Sequence, residues 1–149
     1  MIETRLATGD DAEVLSEMNA EFNEVRMEPG AISSKLLAGR EIVAIASTAG
    51  AIVGFACAQI CESICYPSPY AEITELFVRA ASRRSGVGTA LVAFVEKQVA
   101  QRGATHIRIL TGMRNQSARA LYAKLGYRHD RNRPEVLYEK DMAGAGDAK

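Results

Sequence analysis

The chain has few groups suited to covalent cross-linking or metal binding. Its three cysteines, Cys57, Cys61 and Cys65, are odd in number and follow C-x3-C-x3-C, which matches no common zinc pattern, and its only histidines are His106 and His129. A disulfide scaffold and a zinc module are therefore excluded, no metal is expected, and the cysteines read as reduced structural thiols. Net charge is also lacking. Eighteen basic residues balance eighteen acidic ones, so no global field draws the protein to nucleic acid or to an anionic membrane surface. There is no apolar run of about eighteen residues, and the start Met1-Ile-Glu-Thr-Arg5 carries no charged segment followed by an apolar one. A cytoplasmic protein without a membrane anchor is expected. No internal repeat or second composition class appears, so 149 residues suit a single domain over 1–142 that buries roughly 70% of its unfolded surface. The small-residue tail 143–149 is expected to be disordered.

The chain is organised around residues 73–103. Residues 73–78 read as a strand from their β-branched and aromatic content. Val87, Leu91, Phe94, Val95 and Val99 then recur at helical steps until Gly103 stops the helix. Between the two lies Arg83-Arg84-Ser85-Gly86-Val87-Gly88. A glycine loop opening a helix aims consecutive backbone N–H groups and the positive end of the helix dipole at one point, and Arg83 and Arg84 add charge. A side chain at Gly86 or Gly88 would hold an anion away from the main chain or forbid a positive φ. The spacing alone fits a phosphate site and an ordinary turn with solvated arginines equally. It does not fit a dinucleotide fingerprint, whose third glycine position is Leu91, nor a Walker loop, because Thr89-Ala90 replaces the Lys-Ser/Thr pair.

Around this stretch the pattern is mixed α/β. Residues 2–6 suggest a short strand. Residues 8–11 cap a helix reaching Asn23, with an apolar stripe of Val14, Leu15, Met18 and Phe22. Pro29-Gly30 reads as a break, followed by a short helix from Ser33 or Ser34 to Ala38. Residues 41–47 and 51–60 read as strands joined by the hairpin signal Thr48-Ala49-Gly50, and 61–70 as a loop. Residues 106–110 form the next strand, which makes a strand-helix-strand crossover and hence a parallel pair. A helix follows Asn115, with a face of Ala118, Leu121, Tyr122 and Leu125, and ends at Gly126. Tyr127 and 136–138 mark two final strands. The acidic first quarter, from Asp10 to Glu28, is either a solvated helix face or a device that attracts a cationic substrate.

Two motifs in this order resemble the GNAT acetyltransferase superfamily. Arg83-x-x-Gly86-x-Gly88, after a strand ending Glu75-Leu-Phe-Val78, is similar to its acyl-CoA-binding motif. Asn115-Gln-Ser-Ala-Arg-Ala-Leu-Tyr122-Ala-Lys-Leu-Gly-Tyr127 is similar to its second signature. The resemblance implies a mixed, mostly antiparallel sheet with one splayed parallel pair, flanked by about four helices. It also implies acetyl-CoA as cosubstrate. Leu76, Phe77 and Val78 would hold the pantetheine and acetyl carbonyl, and Arg83, Arg84, Ser85, Gly86, Val87, Gly88 and Thr89 the pyrophosphate. Asn115 would bind the pantetheine arm, and Tyr122 would protonate the departing thiolate. From spacing alone Asn115 is a helix-start residue and Tyr122 a core residue.

Some members place a catalytic residue six positions before the one matching Val78, which here is Glu72. In an unbulged strand Glu72, Thr74 and Leu76 face one way and Ile73, Glu75 and Phe77 the other, so Glu72 and Glu75 compete for the role of base, and a bulge would reverse the parity. The implied activity is direct acetyl transfer to a primary amine of a small molecule. Acetylation of a protein N-terminus or lysine is an alternative, as is acyl-CoA sensing without turnover. A homodimer through the last strands is expected.

Overall fold

The computed structural model describes residues 1–129 and 138–142. Five strands, β1 (Ile2–Leu6), β2 (Ile42–Thr48), β3 (Ala51–Cys61), β4 (Tyr70–Val78) and β5 (His106–Ile109), lie in the order β1-β2-β3-β4-β5. The first three pairings are antiparallel and β4–β5 is parallel. Four helices, α1 (Ala12–Asn23), α2 (Pro29–Ala38), α3 (Val87–Gln101) and α4 (Gln116–Lys124), complete the described fold. This is the mixed, mostly antiparallel architecture with one parallel crossover that the strand and helix pattern implies.

The sheet separates two cores, and the alternation of β3 assigns side chains to them. Ala56 and Ala58 point to the side covered by α3, where Val87, Leu91, Val92, Val95 and Val99 are buried. Phe55 and Cys57 point to the other side and pack with Leu15 and Met18 of α1 and with Ile45 and Phe77. Alanines under α3 let the helix approach the sheet closely, whereas the α1 side is filled by larger groups, including Phe22 at 5.6 Å from the Phe77 ring. Each fully buried aliphatic on either side contributes about 1.5–3 kcal/mol. Gly54 allows the closest approach. A Cβ there would stand 2.7 Å from the Phe77 carbonyl oxygen and 3.2 Å from Leu91, so any side chain would push β4 or α3 away.

Local chemistry explains the ends of the elements. Ala49 (φ 49°) and Gly50 (φ 80°) both take left-handed conformations, the combination a two-residue hairpin needs to match strand twist. Thr8 and Asp11 form a reciprocal capping box at the 3-10 turn, Gly9–Asp11, that leads into α1. The buried Asp11 carboxylate also receives both ends of the Arg5 fork at 2.7 and 2.8 Å.

Beyond one-residue shifts at the ends of β2, β3 and β5, three assignments differ from those read in the sequence. Helix α2 begins at Pro29 instead of after it, because proline at a first helical position forfeits no hydrogen bond. Strand β4 starts at Tyr70, since its N-terminal half is paired on both edges by β3 and β5. Tyr127 joins no strand; its backbone N–H instead bonds the Tyr122 carbonyl at 2.9 Å and closes the end of α4. Of the final strand, 136 and 137 lie outside the described residues, as does the tail 143–149, while Tyr138 enters no ladder among the described residues. No helix among the described residues is long and apolar enough to cross a membrane.

Candidate functional site

At the C-terminal end of β4 the sheet opens. The β4–β5 ladder stops at Ile73↔Ile109, so Thr74 to Val78 have no strand beside them on that edge among the described residues. Leu76 and Val78 turn toward the α3 core, and Phe77 is buried on the α1 side. Main-chain groups of these residues, away from β3, line the opening.

The chain then passes through the 3-10 turn Ala80–Ser82 into the glycine loop. Arg83 donates from Nε to the Val78 carbonyl at 2.9 Å, which clips the loop to the strand it leaves. Arg84 has φ 60° and Gly86 φ 93°, and Gly86 caps α3 without any side-chain hydrogen bond to the helix end. The first bond of the helix runs from the Ala90 N–H to the Gly86 carbonyl at 3.0 Å. The N–H groups of Val87, Gly88 and Thr89 therefore have no intrahelical acceptor and emerge beside Arg84 and Ser85. Gly86 meets the expected need for positive φ. Gly88 has a different role: a Cβ there would meet Leu121 of α4 at 3.1 Å and Val78 at 4.0 Å. Its small size serves the packing of α3 against α4.

Asn115 caps α4, its side-chain oxygen accepting from the Ala118 N–H at 3.1 Å. One turn further on, Tyr122 is buried, with 9% of its surface exposed. Its ring centroid lies 6.0 Å from that of Tyr127, whose hydroxyl donates to Glu96 at 2.9 Å. No described residue bonds the Tyr122 hydroxyl, yet no described side-chain oxygen is both sealed from solvent and unpaired. Burial raises the pKa of that hydroxyl above the usual tyrosine value, which keeps the proton on the oxygen at neutral pH.

The glutamates do not divide between the two faces as an unbulged strand requires. Cys57 pairs with Glu75 and the next residue, Ala58, with Ile73, so Thr74 bulges out of β4. The bulge puts Ile73 in the α3 core and Phe77 in the α1 core. Glu72, opposite Gln59, and Glu75, opposite Cys57, consequently both face the α1 side. Arg108 of β5 holds Glu72: Nε and Nη2 each lie 2.7 Å from Glu72 Oε2. The same guanidinium lies 4.6 Å over the Tyr70 ring, and the bond to Glu72 raises its pKa further.

Glu41 is a member of this face that strand and motif reading passed over. It precedes β2, two residues before Val43, which pairs with Cys57; extending the β2 alternation by one step would have found it. Burial raises the Glu41 pKa, Lys35 opposes that shift, and Glu75 reinforces it. Burial, with Glu41 and Glu75 nearby, pushes the Cys57 thiol well above its usual range, which makes it inert at neutral pH. Further out, part of the acidic first quarter is already paired internally. Asp11 binds Arg5, and Arg79 reaches Glu21 at 3.2 Å and Glu17 at 3.5 Å. Beyond Glu72, a cleft of about 480 Å³ lies between residues 66–70 and Thr105, His106 and Arg108. Among the described residues no group of three or more His, Cys, Asp or Glu side chains could hold a metal ion.

Comparison with known proteins agrees with this fold. No protein of curated function matches the sequence. An aminoglycoside acetyltransferase from an uncultured soil metagenomic sample is 28% identical, with a TM-score of 0.77 over 95% of this chain and 98% of that one. AAC(6')-Iy, solved with a bisubstrate analogue of CoA and monomethyl-acetylneamine, shares the fold at 21% identity, with a TM-score of 0.82 over 95% and 99% of the two chains. A putative acetyltransferase from Agrobacterium tumefaciens does so at 22% identity, with a TM-score of 0.78 over 93% and 99%. The model of the acetyltransferase (GNAT) family matches residues 12–127, and the chain belongs to that family.

Proposed function

We propose that this acyltransferase moves an acetyl group from acetyl-CoA directly to a primary amine of a small molecule. The observation that carries the reading is the alignment of two openings at one end of β4. The strand loses its β5 neighbour after Ile73, and nine residues beyond Val78 the chain reaches the bare N–H groups at the start of α3, Val87. The first opening suits an extended arm that hydrogen-bonds to a strand edge, and the second suits a pyrophosphate. Leu76, Phe77, Val78 and Asn115 take the pantetheine and thioester in this reading. Arg84, Ser85, Gly86, Val87, Gly88 and Thr89 take the phosphates, with Arg83 fixing the loop. Similarity to the metagenomic aminoglycoside acetyltransferase supports a small-molecule acceptor.

The chemistry assigns the remaining side chains. An alkyl ammonium with a pKa near about 10.4 is almost wholly protonated at neutral pH, so a carboxylate on the α1 face, Glu72 or Glu75, accepts its proton directly or through water. The freed nitrogen attacks the thioester carbonyl, and main-chain N–H groups at the open β4 edge stabilise the oxyanion. The C–S bond then breaks with its electron pair staying on sulfur. Tyr122, still protonated, gives its proton to the thiolate, and the amide product and free CoA leave. Acetyl-CoA binding measured by calorimetry, together with CoA release that depends on an added primary amine and yields an N-acetyl product by mass spectrometry, is the expected result. Absence of acetyl-CoA binding overturns the reading.

A further inference from the structure

We infer that the cleft beside Arg108 takes the carboxylate of an amino-acid acceptor whose α-amine meets Glu72. The inference rests on the transferase reading above and deepens it by naming the acceptor class.

Placement is the first argument. Tyr70 pairs with His106 and Glu72 with Arg108 in consecutive same-face positions of the β4–β5 ladder, and Arg108 both binds Glu72 and lines the cleft. The cleft is therefore one strand step from the carboxylate proposed to receive the amine's proton. It also lies on the sheet face that Glu72 and Glu75 share.

The second argument is how the donors are divided. Nε and Nη2 of Arg108 both go to Glu72 Oε2, whereas Nη1 of Arg108 and Oε1 of Glu72 bond no described residue. A guanidinium has five N–H groups in a planar fork and serves two carboxylates without releasing either. Arg108 therefore holds the base by one edge and keeps the other for a ligand. The Glu72 side chain is 20% exposed and that of Arg108 49%, so both groups are reachable.

Composition gives the third. The cleft residues provide the Arg108 guanidinium, the His106 imidazole and the hydroxyls of Tyr66, Tyr70, Ser68 and Thr105, and none of them is acidic. A second ammonium placed there would find no counter-charge, whereas a carboxylate would find only donors. The neighbouring positions Glu72, Glu75 and Glu41 on the same face are acidic. One face thus offers a negative end for an amine and a donor-rich end for an anion, the arrangement that fits a zwitterion. The volume, about 480 Å³, is within the range for small-molecule sites, and the tyrosine rings with Pro67 and Pro69 give an apolar side chain a wall to rest on.

The test compares phenylalanine with phenethylamine, which lacks only the carboxylate, in the wild type, Arg108→Gln and Arg108→Lys. Loss of the Glu72 tether affects both amines, so the ratio of their kcat/KM values isolates the cleft. The wild type should prefer phenylalanine. In Arg108→Gln that preference should fall about tenfold or more, the usual consequence of losing a charge-assisted hydrogen bond, and Arg108→Lys should restore part of it. If circular dichroism shows Arg108→Gln unfolded, the lysine variant alone carries the comparison, with a smaller fall expected. A wild type that favours phenethylamine, or a ratio identical in all variants, overturns the proposal and leaves acetyl transfer standing. Should neither amine be acetylated, the transferase reading fails for this acceptor class and calorimetry decides the cleft. Phenylalanine binding that weakens in Arg108→Gln supports it, and no binding to the wild type overturns it.

Discussion

The two ends of β4 are built by different means. At its C-terminal end the glycine loop is local: Arg84 and Gly86 set two positive φ angles within three residues, and the start of α3 presents its N–H groups to whatever lies in front. Around Glu72 the carboxylate face is assembled from afar, by a bulge at Thr74, by Arg108 reaching across from β5 and by Glu41 ahead of β2. A local device can be read from a few consecutive residues. An assembled one depends on register, and a single bulged residue changes which side chains share a face.

The sharpest way to break the comparison is Tyr122→Phe, because Tyr122 belongs to neither device and is proposed to protonate the sulfur between them. Phenylalanine keeps the packing against Tyr127 and removes the proton donor. kcat should fall about 10²- to 10⁴-fold while acetyl-CoA affinity by calorimetry stays unchanged. Turnover equal to wild type at every pH would make Tyr122 a core residue and leave water to protonate the thiolate.

The second prediction tests whether the assembled face has one base or two. Both glutamates look toward α1, so facing direction no longer separates them. Glu72→Gln should lower kcat/KM by about 10²-fold near neutral pH and recover partly in alkaline buffer, where more of the amine is neutral. If Glu72 alone is the base, the double variant Glu72→Gln/Glu75→Gln should be no worse than the single one. A pH-dependent loss confined to Glu75→Gln would transfer the role to Glu75.

These cases show what was legible in the sequence. The order of strands and helices, the parallel crossover and the glycine loop all followed from patterns within about twenty residues. Asn115 and Tyr122 were singled out because they belong to one recognisable signature, Asn115 as the cap of α4 and Tyr122 within it. The bulge at Thr74 was not legible, since Ile73-Thr-Glu-Leu-Phe77 alternates well enough as a flat strand; only the opposing Cys57-Ala58 register reveals the extra residue. Arg108 looked like one more basic residue on a short strand because its partner lies 36 positions away. Pro29 was misread for a simpler reason: the same residue ends a helix in its interior and begins one at its first turn.

A smaller effect is expected at the pair that anchors α1 beneath the acceptor face. The bond from Arg5 holds the Asp11 carboxyl below its usual pKa. Its contribution is therefore complete above the unfolded value of about 3.9 and is lost as pH falls through the lower folded value. Asp11→Asn should cost about 1.5–3 kcal/mol at neutral pH and flatten the fall in stability below about pH 4, read from urea midpoints across an acid series. An unchanged acid limb would mean that the ion pair does not couple to folding.

The smallest effect, and the one that sharpens the contrast most, is expected from Gly88→Ala in the local device. If an anion required a bare backbone at position 88, a methyl group there would weaken acetyl-CoA binding and leave stability alone. The structure predicts the reverse weighting. The added Cβ meets Leu121 Cδ2, 3.1 Å away. That contact is with the end of a flexible side chain, which moves a few tenths of an ångström at modest cost, and alanine in a helix gains about 0.8–1.0 kcal/mol over glycine. The two terms oppose each other, so the unfolding free energy should shift by less than about 1 kcal/mol, and acetyl-CoA affinity should change less than about threefold. A bulkier Gly88→Val adds branches the Leu121 contact has no room for and should lower Tm clearly before affinity is lost. Affinity that collapses in Gly88→Ala at unchanged Tm would mean that the phosphates need a bare Cα at position 88 as well as its N–H.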